Sequence, residues 1–300
     1  KIKIDFKQVK DETYFNFDLV EGLPLNISNT LEKLKDIDII IFAGGISPSL
    51  EGEEMNVSAT GFKGGDRTDI EFPAVQRKVL AALKEAGKKV ILVNFSGSAM
   101  ALTPETKSCD AILQAWYPGE EGGTAIVNVL FGDYNPAGRL PITFYKSIDQ
   151  LPDFENYSMK GRTYRYMQEE PLFPFGYGLS YTTFAFGKIH INKNSLSAGE
   201  KVTLHIPIKN IGDRDGVEVV QIYIQRQADK EGPVKTLRAF KRVEIPKGKT
   251  QEVKIELPYV AFEWFDPTTN TMRPIQGEYN ILYGNSSRMK DLQSAKIQIQ

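Results

Sequence analysis

Residues 39–67 read IIIFAGGISPSLEGEEMNVSATGFKGGDR. The apolar run 37–43, interrupted only at Asp38, predicts a buried strand. Gly44 and Gly45 end it, where the chain can turn sharply or admit another group close to its backbone. Glu51, Glu53 and Glu54 follow within four residues, and Asp66 and Arg67 stand behind Gly64 and Gly65. In open α/β sheets ligands bind outside the carboxyl ends of the strands, so this acidic, glycine-flanked loop lies where chemistry is usually found. The plainer alternative is a solvated acidic loop.

Working outward, the 300 residues suggest about two domains, and 41% apolar with 25% charged residues is ordinary for a globular chain. A net charge of −1 gives no electrostatic reason to expect nucleic acid or an anionic membrane as partner. No apolar run approaches the roughly 18–20 residues of a membrane span. The chain opens at Lys1 inside a strand-like pattern, which suggests a piece of a longer polypeptide. The lone Cys109 rules out an intrachain disulfide or a cysteine-rich metal site. His190 and His205 both lie in the C-terminal part, each expected to satisfy a strand face. Residues 1–187 therefore hold no Ser-His-Asp or Cys-His site and no HExxH zinc motif, and acid–base work there falls to carboxylates, with Lys or Tyr as lesser options.

Residues 1–20 alternate apolar and polar positions and predict a β-hairpin too short for a core of its own. A short helix is expected within 23–35, capped by Asn29 or Thr30. The spacing of Val75, Val79, Leu80 and Leu83 predicts a helix over 74–86, stopped by Gly87. Strands are predicted at 89–95 and 111–116, and a helix at 124–131 before Gly132. This alternation argues an α/β three-layer domain with a mostly parallel sheet. Residues 133–183 are rich in Pro, Gly and aromatics, with a strand expected at 142–145 and a rigid strap over 173–181 whose rings pack on the surfaces it crosses. Strand patterns at 184–191, 202–210, 217–226, 237–245, 250–257 and 277–283 predict an all-β immunoglobulin-like sandwich of the fibronectin type III kind.

Glycoside hydrolysis needs two carboxyl groups around one bond: one protonates the leaving oxygen, the other attacks carbon or activates water. Glu51 and Glu53 would point to the same side of an extended segment and Glu54 to the other. Asp66 and Arg67 could pair to anchor the loop, or Asp66 could accept sugar hydroxyls. Trp116 and Tyr117, at a strand end, could line a sugar subsite or simply pack. Glu120 and Glu121 read as capping a helix start, and Arg162 and Arg165 as salt-bridge formers in the connector, with reach into an active site as the alternative. No GxGxxG or P-loop string follows a strand, which disfavours nucleotide binding.

At GGISPSLEGEEM, GFKGGDR, AWYPGEEGGTAIVNVLFGDYNPAGRLP, KGRTYRY and PLFPFGYGLSYTTF the chain resembles the C-terminal part of a family 3 glycoside hydrolase, leaning toward the β-xylosidase-like branch. The resemblance covers 37 to about 300. It implies 1–22 as end strands of a PA14-like β domain, 23–145 as an α/β sandwich domain, 146–183 as connector and 184–300 as a fibronectin type III-like domain. It also implies retaining, exo-acting hydrolysis of β-linked oligosaccharides or aryl glycosides, of β-xylosidase or β-glucosidase type, with no metal or cofactor. The acid/base glutamate would come from this loop, Glu51 ahead of Glu53 because Glu51 follows the apolar Leu50. The nucleophilic Asp would come from a preceding barrel domain, so this chain alone would be inactive. Met55 and the residues up to Gly65 are inserted between the glutamates and Asp-Arg relative to the usual spacing of that loop. A periplasmic or secreted location follows from the substrate class alone. The competing reading is a non-catalytic carbohydrate-binding or structural module.

Overall fold

The computed structural model describes residues 26–300 apart from 53, 54, 56 and 65. The hairpin expected over 1–20, and with it the segment 1–22, lies outside the described residues. The short helix α1 spans Ile27–Lys33 and is capped by Asn26, whose Oδ1 accepts the Asn29 amide at 2.9 Å. The cap thus sits three residues before Asn29, which is itself the capped donor rather than the capping residue.

The α/β part is built on three parallel strands: β1 (Ile39–Gly45), β5 (Lys89–Phe95) and β6 (Ala111–Gln114), in spatial order β1-β5-β6. Between β1 and β5 the chain forms the one-turn helix α2 (Pro48–Glu51), three short antiparallel strands β2 (Ser58–Ala59), β3 (Phe62–Lys63) and β4 (Asp66–Arg67), and helix α3 (Ala74–Glu85). Helix α4 (Glu105–Ser108) leads into β6, and α5 (Gly122–Phe131) follows it, ending at Gly132 with φ +84°. The continuous apolar run of β5 is buried at Val90, Leu92 and Val93, as a central strand requires. β1 differs from its expected state: among the described residues it is an edge strand, and Ile39 and Ile41 are 55% and 41% exposed. An apolar run alone does not say whether a neighbour lies on each side.

Helix α3 turns Leu80, Leu83 and Gln76 inward, while Val75 is exposed. Its Arg77 donates to Glu105 (Nε–Oε1 2.7 Å), which is fully buried, to Glu71 (2.9 Å) and to the Ala101 carbonyl (3.2 Å). This pins the helix to the chain entering α4.

Residues 133–183 are irregular apart from the single turn α6 (Thr163–Tyr166) and a 3₁₀ turn at Ile148–Gln150. The expected strand at 142–145 reduces to one bridge, Phe144 with Phe173. The strap behaves as predicted. Tyr164 stacks on Phe175 at 4.5 Å between centroids, and Phe173 on Tyr177 at 5.6 Å. Arg162 donates to the carbonyls of Asp153, Asn156 and Ser158, and Arg165 lies over the Tyr166 ring, so neither makes the expected salt bridge among the described residues. The strap is tied to the next domain by a buried ion pair, Arg139–Glu218 at 2.6 Å. Gln221 also donates to the Gly176 carbonyl at 3.0 Å, and a Cβ on Gly176 (φ +78°) would fall 2.0 Å from the Gln221 Oε1, so only glycine fits there.

The C-terminal domain is a sandwich. One sheet pairs β10 (Lys201–Asn210) with β13 (Thr250–Pro258), β7 (Phe184–Phe186) and β8 (His190–Ile191). The other orders β12 (Thr236–Ile245), β11 (Gly216–Gln225), β16 (Gly277–Gly284), β17 (Gln293–Ile299) and β9 (Ser195–Leu196). Val202, Leu204, Ile206 and Ile208 alternate into the core against Val220, Ile222, Ile224 and Ile281. A hairpin of β14 (Glu263–Asp266) and β15 (Thr271–Pro274) carries the buried Trp264. His190 and His205 face each other across β8 and β10, and His205 Nδ1 lies 2.9 Å from Glu252.

Candidate active site

The carboxyl ends of the three parallel strands converge on Glu51. Ser47 caps α2, its Oγ accepting the Leu50 amide at 3.2 Å, and Pro48 opens the helix where its missing N–H costs nothing. Gly52, with φ +35°, closes it. This leaves Glu51, the last helical residue after β1, facing the loops that follow β5 and β6. Its Oε1 accepts Ser98 Oγ at 2.8 Å, and its Oε2 accepts the Tyr117 hydroxyl at 2.5 Å. Glu51, Ser98 and Tyr117 are half-buried and come from the loops after three successive strands.

Arg67, on β4, joins from the inserted segment. Its Nη1 donates to Ser98 Oγ at 2.8 Å and to the Ala99 carbonyl at 3.2 Å, and its Nε to the Asp69 carbonyl at 3.1 Å. Burial draws the guanidinium below its ordinary value, opposed by the nearby Glu51 and Asp69. Burial, and then the hydrogen bond to Glu51, push the Tyr117 hydroxyl well above the usual tyrosine range, so it remains a donor. Gly97 keeps the space open: a Cβ there would lie 2.8 Å from Tyr117 Cε2 and 2.9 Å from Glu51 Oε2.

A second tier supports the first. Asn94 Nδ2 donates to Gln114 Oε1 at 2.6 Å, Gln114 Nε2 reaches Ser96 Oγ at 3.1 Å, and Ser96 Oγ donates to the Ser98 carbonyl at 2.9 Å. Gln76 clamps the end of β1 through both its amide groups, accepting from Gly45 N and donating to Gly45 O, each at 2.8 Å. A Cβ on Gly45 would stand 2.0 Å from the Phe95 carbonyl oxygen, which accounts for the glycine.

Of the residues singled out in the sequence, Glu51, Arg67 and Tyr117 are brought together. Glu53 lies outside the described residues. Asp66 is exposed and forms no ion pair with Arg67 among the described residues, because neighbours on a strand point to opposite sides. Trp116 packs edge-on against Phe144 at 6.1 Å and has φ +59°, a conformation that costs a side-chain-bearing residue energy and ends β6 two residues short of the predicted strand. Glu121 occupies the N-cap position of α5 without a capping hydrogen bond from its side chain. Ser98 was not singled out. Its signal was the small-residue run Ser96-Gly97-Ser98 directly after an apolar strand.

Comparison with known proteins bears on the fold and the family. Residues 7–181 match the Glycosyl hydrolase family 3 C-terminal domain. The chain belongs to that family. In this family 3 chain, residues 218–287 further match a Fibronectin type III-like domain. A xylan 1,4-beta-xylosidase of Xylanibacter ruminicola is 54% identical over 297 residues, covering 99% of this chain and 34% of the relative. A periplasmic beta-glucosidase of Salmonella typhimurium is 35% identical, covering 88% and 35%. Among solved structures, a β-glucosidase from Erythrobacter marinus superposes with a TM-score of 0.78 at 33% identity, over 91% of this chain and 36% of that one. The Listeria innocua beta-glucosidase in complex with isofagomine gives 0.75 at 27%, over 91% and 38%. The family 3 chain thus spans about a third of the length of these relatives, and it carries the family's α/β domain followed by its fibronectin type III-like sandwich.

Proposed function

We propose that this chain supplies the acid/base glutamate of a retaining, exo-acting β-glycosidase of β-xylosidase or β-glucosidase type. The active site would be completed by a barrel domain in the same polypeptide. The observation that carries the reading is the carboxylate-centred cluster at the carboxyl ends of β1, β5 and β6 in a family 3 chain. The relatives' names, xylosidase and glucosidase, supply the substrate class, and the periplasmic relative supports a periplasmic or secreted location.

In the first step a loop glutamic acid, from the pair Glu51 and Glu53, gives its proton to the glycosidic oxygen. The bond from the anomeric carbon to that oxygen breaks as a carboxylate of the barrel domain bonds to the carbon. In the second step the same glutamate takes a proton from water, whose oxygen displaces the carboxylate and releases the sugar. Asp66, exposed at the rim, is suited to accept sugar hydroxyls, and Trp116 offers an apolar wall. The donors of Arg67 and Tyr117 are turned inward, so their part is to shape the loop. No cofactor enters the scheme.

The test is hydrolysis of p-nitrophenyl β-xyloside and β-glucoside by this chain and by the full-length gene product. Activity confined to the full-length protein is expected. Activity in this chain by itself would overturn the shared-site reading.

A further inference from the structure

Between the connector and the sandwich lies a cavity of about 330 Å³, a size that takes a small molecule. Its walls come from three segments: the connector between Tyr164 and Pro174, Val234 and Lys235 at the entry to β12, and Ser287 to Lys290 on the turn between β16 and β17. Backbone amides fix the three against each other. Val234 N donates to the Arg165 carbonyl at 2.6 Å, Ser287 N to the Phe175 carbonyl at 2.9 Å, and Leu237 N to the Tyr164 hydroxyl at 3.2 Å. Gln168, Glu169, Glu170, Met289 and Lys290 form an exposed mouth. Lys235 and Ser287, 5% and 3% exposed, line the buried end.

Burying an ammonium is costly unless an anion or several acceptors receive it. Lys235 makes no ion pair or hydrogen bond among the described residues, and the Ser287 hydroxyl makes no hydrogen bond among them. Burial alone accounts for the fall of the Lys235 pKa to about 8, so no facing carboxylate holds its proton. The other charges around the cavity are engaged or stand at the mouth. Arg288 pairs with Glu170 at 2.8 Å and lies over the Tyr177 ring, and Gln150 donates to Glu169 at 3.3 Å. Lys290 adds a positive charge at the rim.

We propose that this cavity binds a small organic monocarboxylate with an apolar body, its carboxylate received by Lys235 Nζ and Ser287 Oγ. One ammonium and one hydroxyl suit the two oxygens of a carboxylate. A dianion such as phosphate would lack a second cation at the buried end and would pass Glu169 and Glu170 at the mouth. Met167, Pro171, Pro174 and Val234 offer the body apolar wall rather than hydroxyl partners. The site shares no residue with the cluster around Glu51 and does not depend on the chemistry proposed there.

The experiment is calorimetric titration of the full-length protein at pH 7, where Lys235 is charged, with benzoate, its neutral counterpart benzamide, and inorganic phosphate. The parent is compared with Lys235→Met, which keeps an unbranched side chain without the charge, and with Ser287→Ala. Benzoate should bind the parent with a Kd of about 1 mM or tighter. Benzamide and phosphate should bind at least about 10-fold more weakly. Lys235→Met should lose about 10- to 100-fold of the benzoate affinity, the range of a charged hydrogen bond, and Ser287→Ala about 2- to 10-fold. A benzoate Kd above about 10 mM in the parent would overturn the proposal. So would unchanged benzoate affinity in Lys235→Met, equal affinity for benzoate and benzamide, or tighter binding of phosphate than of benzoate. Should Lys235→Met fail to fold, Ser287→Ala decides: unchanged benzoate affinity in that variant would sink the site.

Discussion

Gly97 is exposed, yet adding one methyl group there should destabilise the protein. In Gly97→Ala the new Cβ would meet Tyr117 Cε2 at 2.8 Å and Glu51 Oε2 at 2.9 Å, inside the distances real Cβ atoms keep. Gly97 is not among the positive-φ glycines, so the backbone accepts alanine and the conformational effect alone would favour it by about 0.4–1 kcal/mol. Overpacking opposes this by about 1–3 kcal/mol. Relief by swinging Tyr117 aside breaks its 2.5 Å bond to Glu51, and a hydrogen bond to a charged group contributes roughly 1.5–3 kcal/mol, here at the low end because the pair is half-exposed. The steric term wins, for a net loss of about 1–2 kcal/mol. The assay is the urea midpoint together with the melting temperature, compared in parent and Tyr117→Ala backgrounds. Removing the ring should cut the penalty sharply, since it takes away the 2.8 Å contact and frees the Glu51 carboxylate to swing from the 2.9 Å one. A Gly97→Ala protein as stable as the parent, or a penalty that persists undiminished without the ring, would refute the packing argument.

Other consequences are more direct. Glu105→Gln removes the buried carboxylate from Arg77, which keeps Glu71 and is itself only partly buried, so the loss is that of a charged hydrogen bond, about 1.5–3 kcal/mol, read as a lowered urea midpoint. Lys235 is 5% exposed and burial draws its ammonium from 10.5 to about 8. The folded state therefore binds fewer protons than the unfolded state between about pH 8 and 10.5, and stability should rise with pH across that window. The full penalty, roughly 3 kcal/mol, is present below about pH 8. Lys235→Met should be more stable at pH 7 and should flatten the rise, measured by denaturation at a series of pH values. Burial pushes the Cys109 thiol up to about 11, so its alkylation by iodoacetamide at pH 8 should be far slower than that of free cysteine.

What could be read from sequence was what depends on local pattern. The apolar run at Lys89–Phe95 could only be a buried strand, and the alternation in Lys201–Asn210 and Thr250–Pro258 gave a sheet face. Burial of β1 was overcalled because Ile39 and Ile41 are exposed where β1 is the edge of the sheet among the described residues, a property of topology. Gln76 was invisible because a glutamine on a helix reads as surface, and only its two hydrogen bonds with Gly45 make it core. The hairpin Glu263–Asp266 and Thr271–Pro274 was missed because its strands are four residues each, too short for alternation to register. In the site, the acidic loop, Arg67 and Tyr117 were legible as residue types. Their meeting was not, since Glu51 and Tyr117 are 66 positions apart and joined only through the sheet.

The short strands Ser58–Ala59, Phe62–Lys63 and Asp66–Arg67 close on themselves, and the Thr68 amide reaches back to the Gly61 carbonyl at 2.8 Å. Before them stands Glu51, held by Ser98 and Tyr117, and their last residue is Arg67, held by Ser98 and Ala99. Because both flanks are fastened to the same serine, the stretch between them can lengthen or shorten without moving either flank, and each doubling of its length costs only about 0.6 kcal/mol of closure entropy. That makes it a docking port for new sequence. Residues can be added or removed there while the scaffold beneath stays the same.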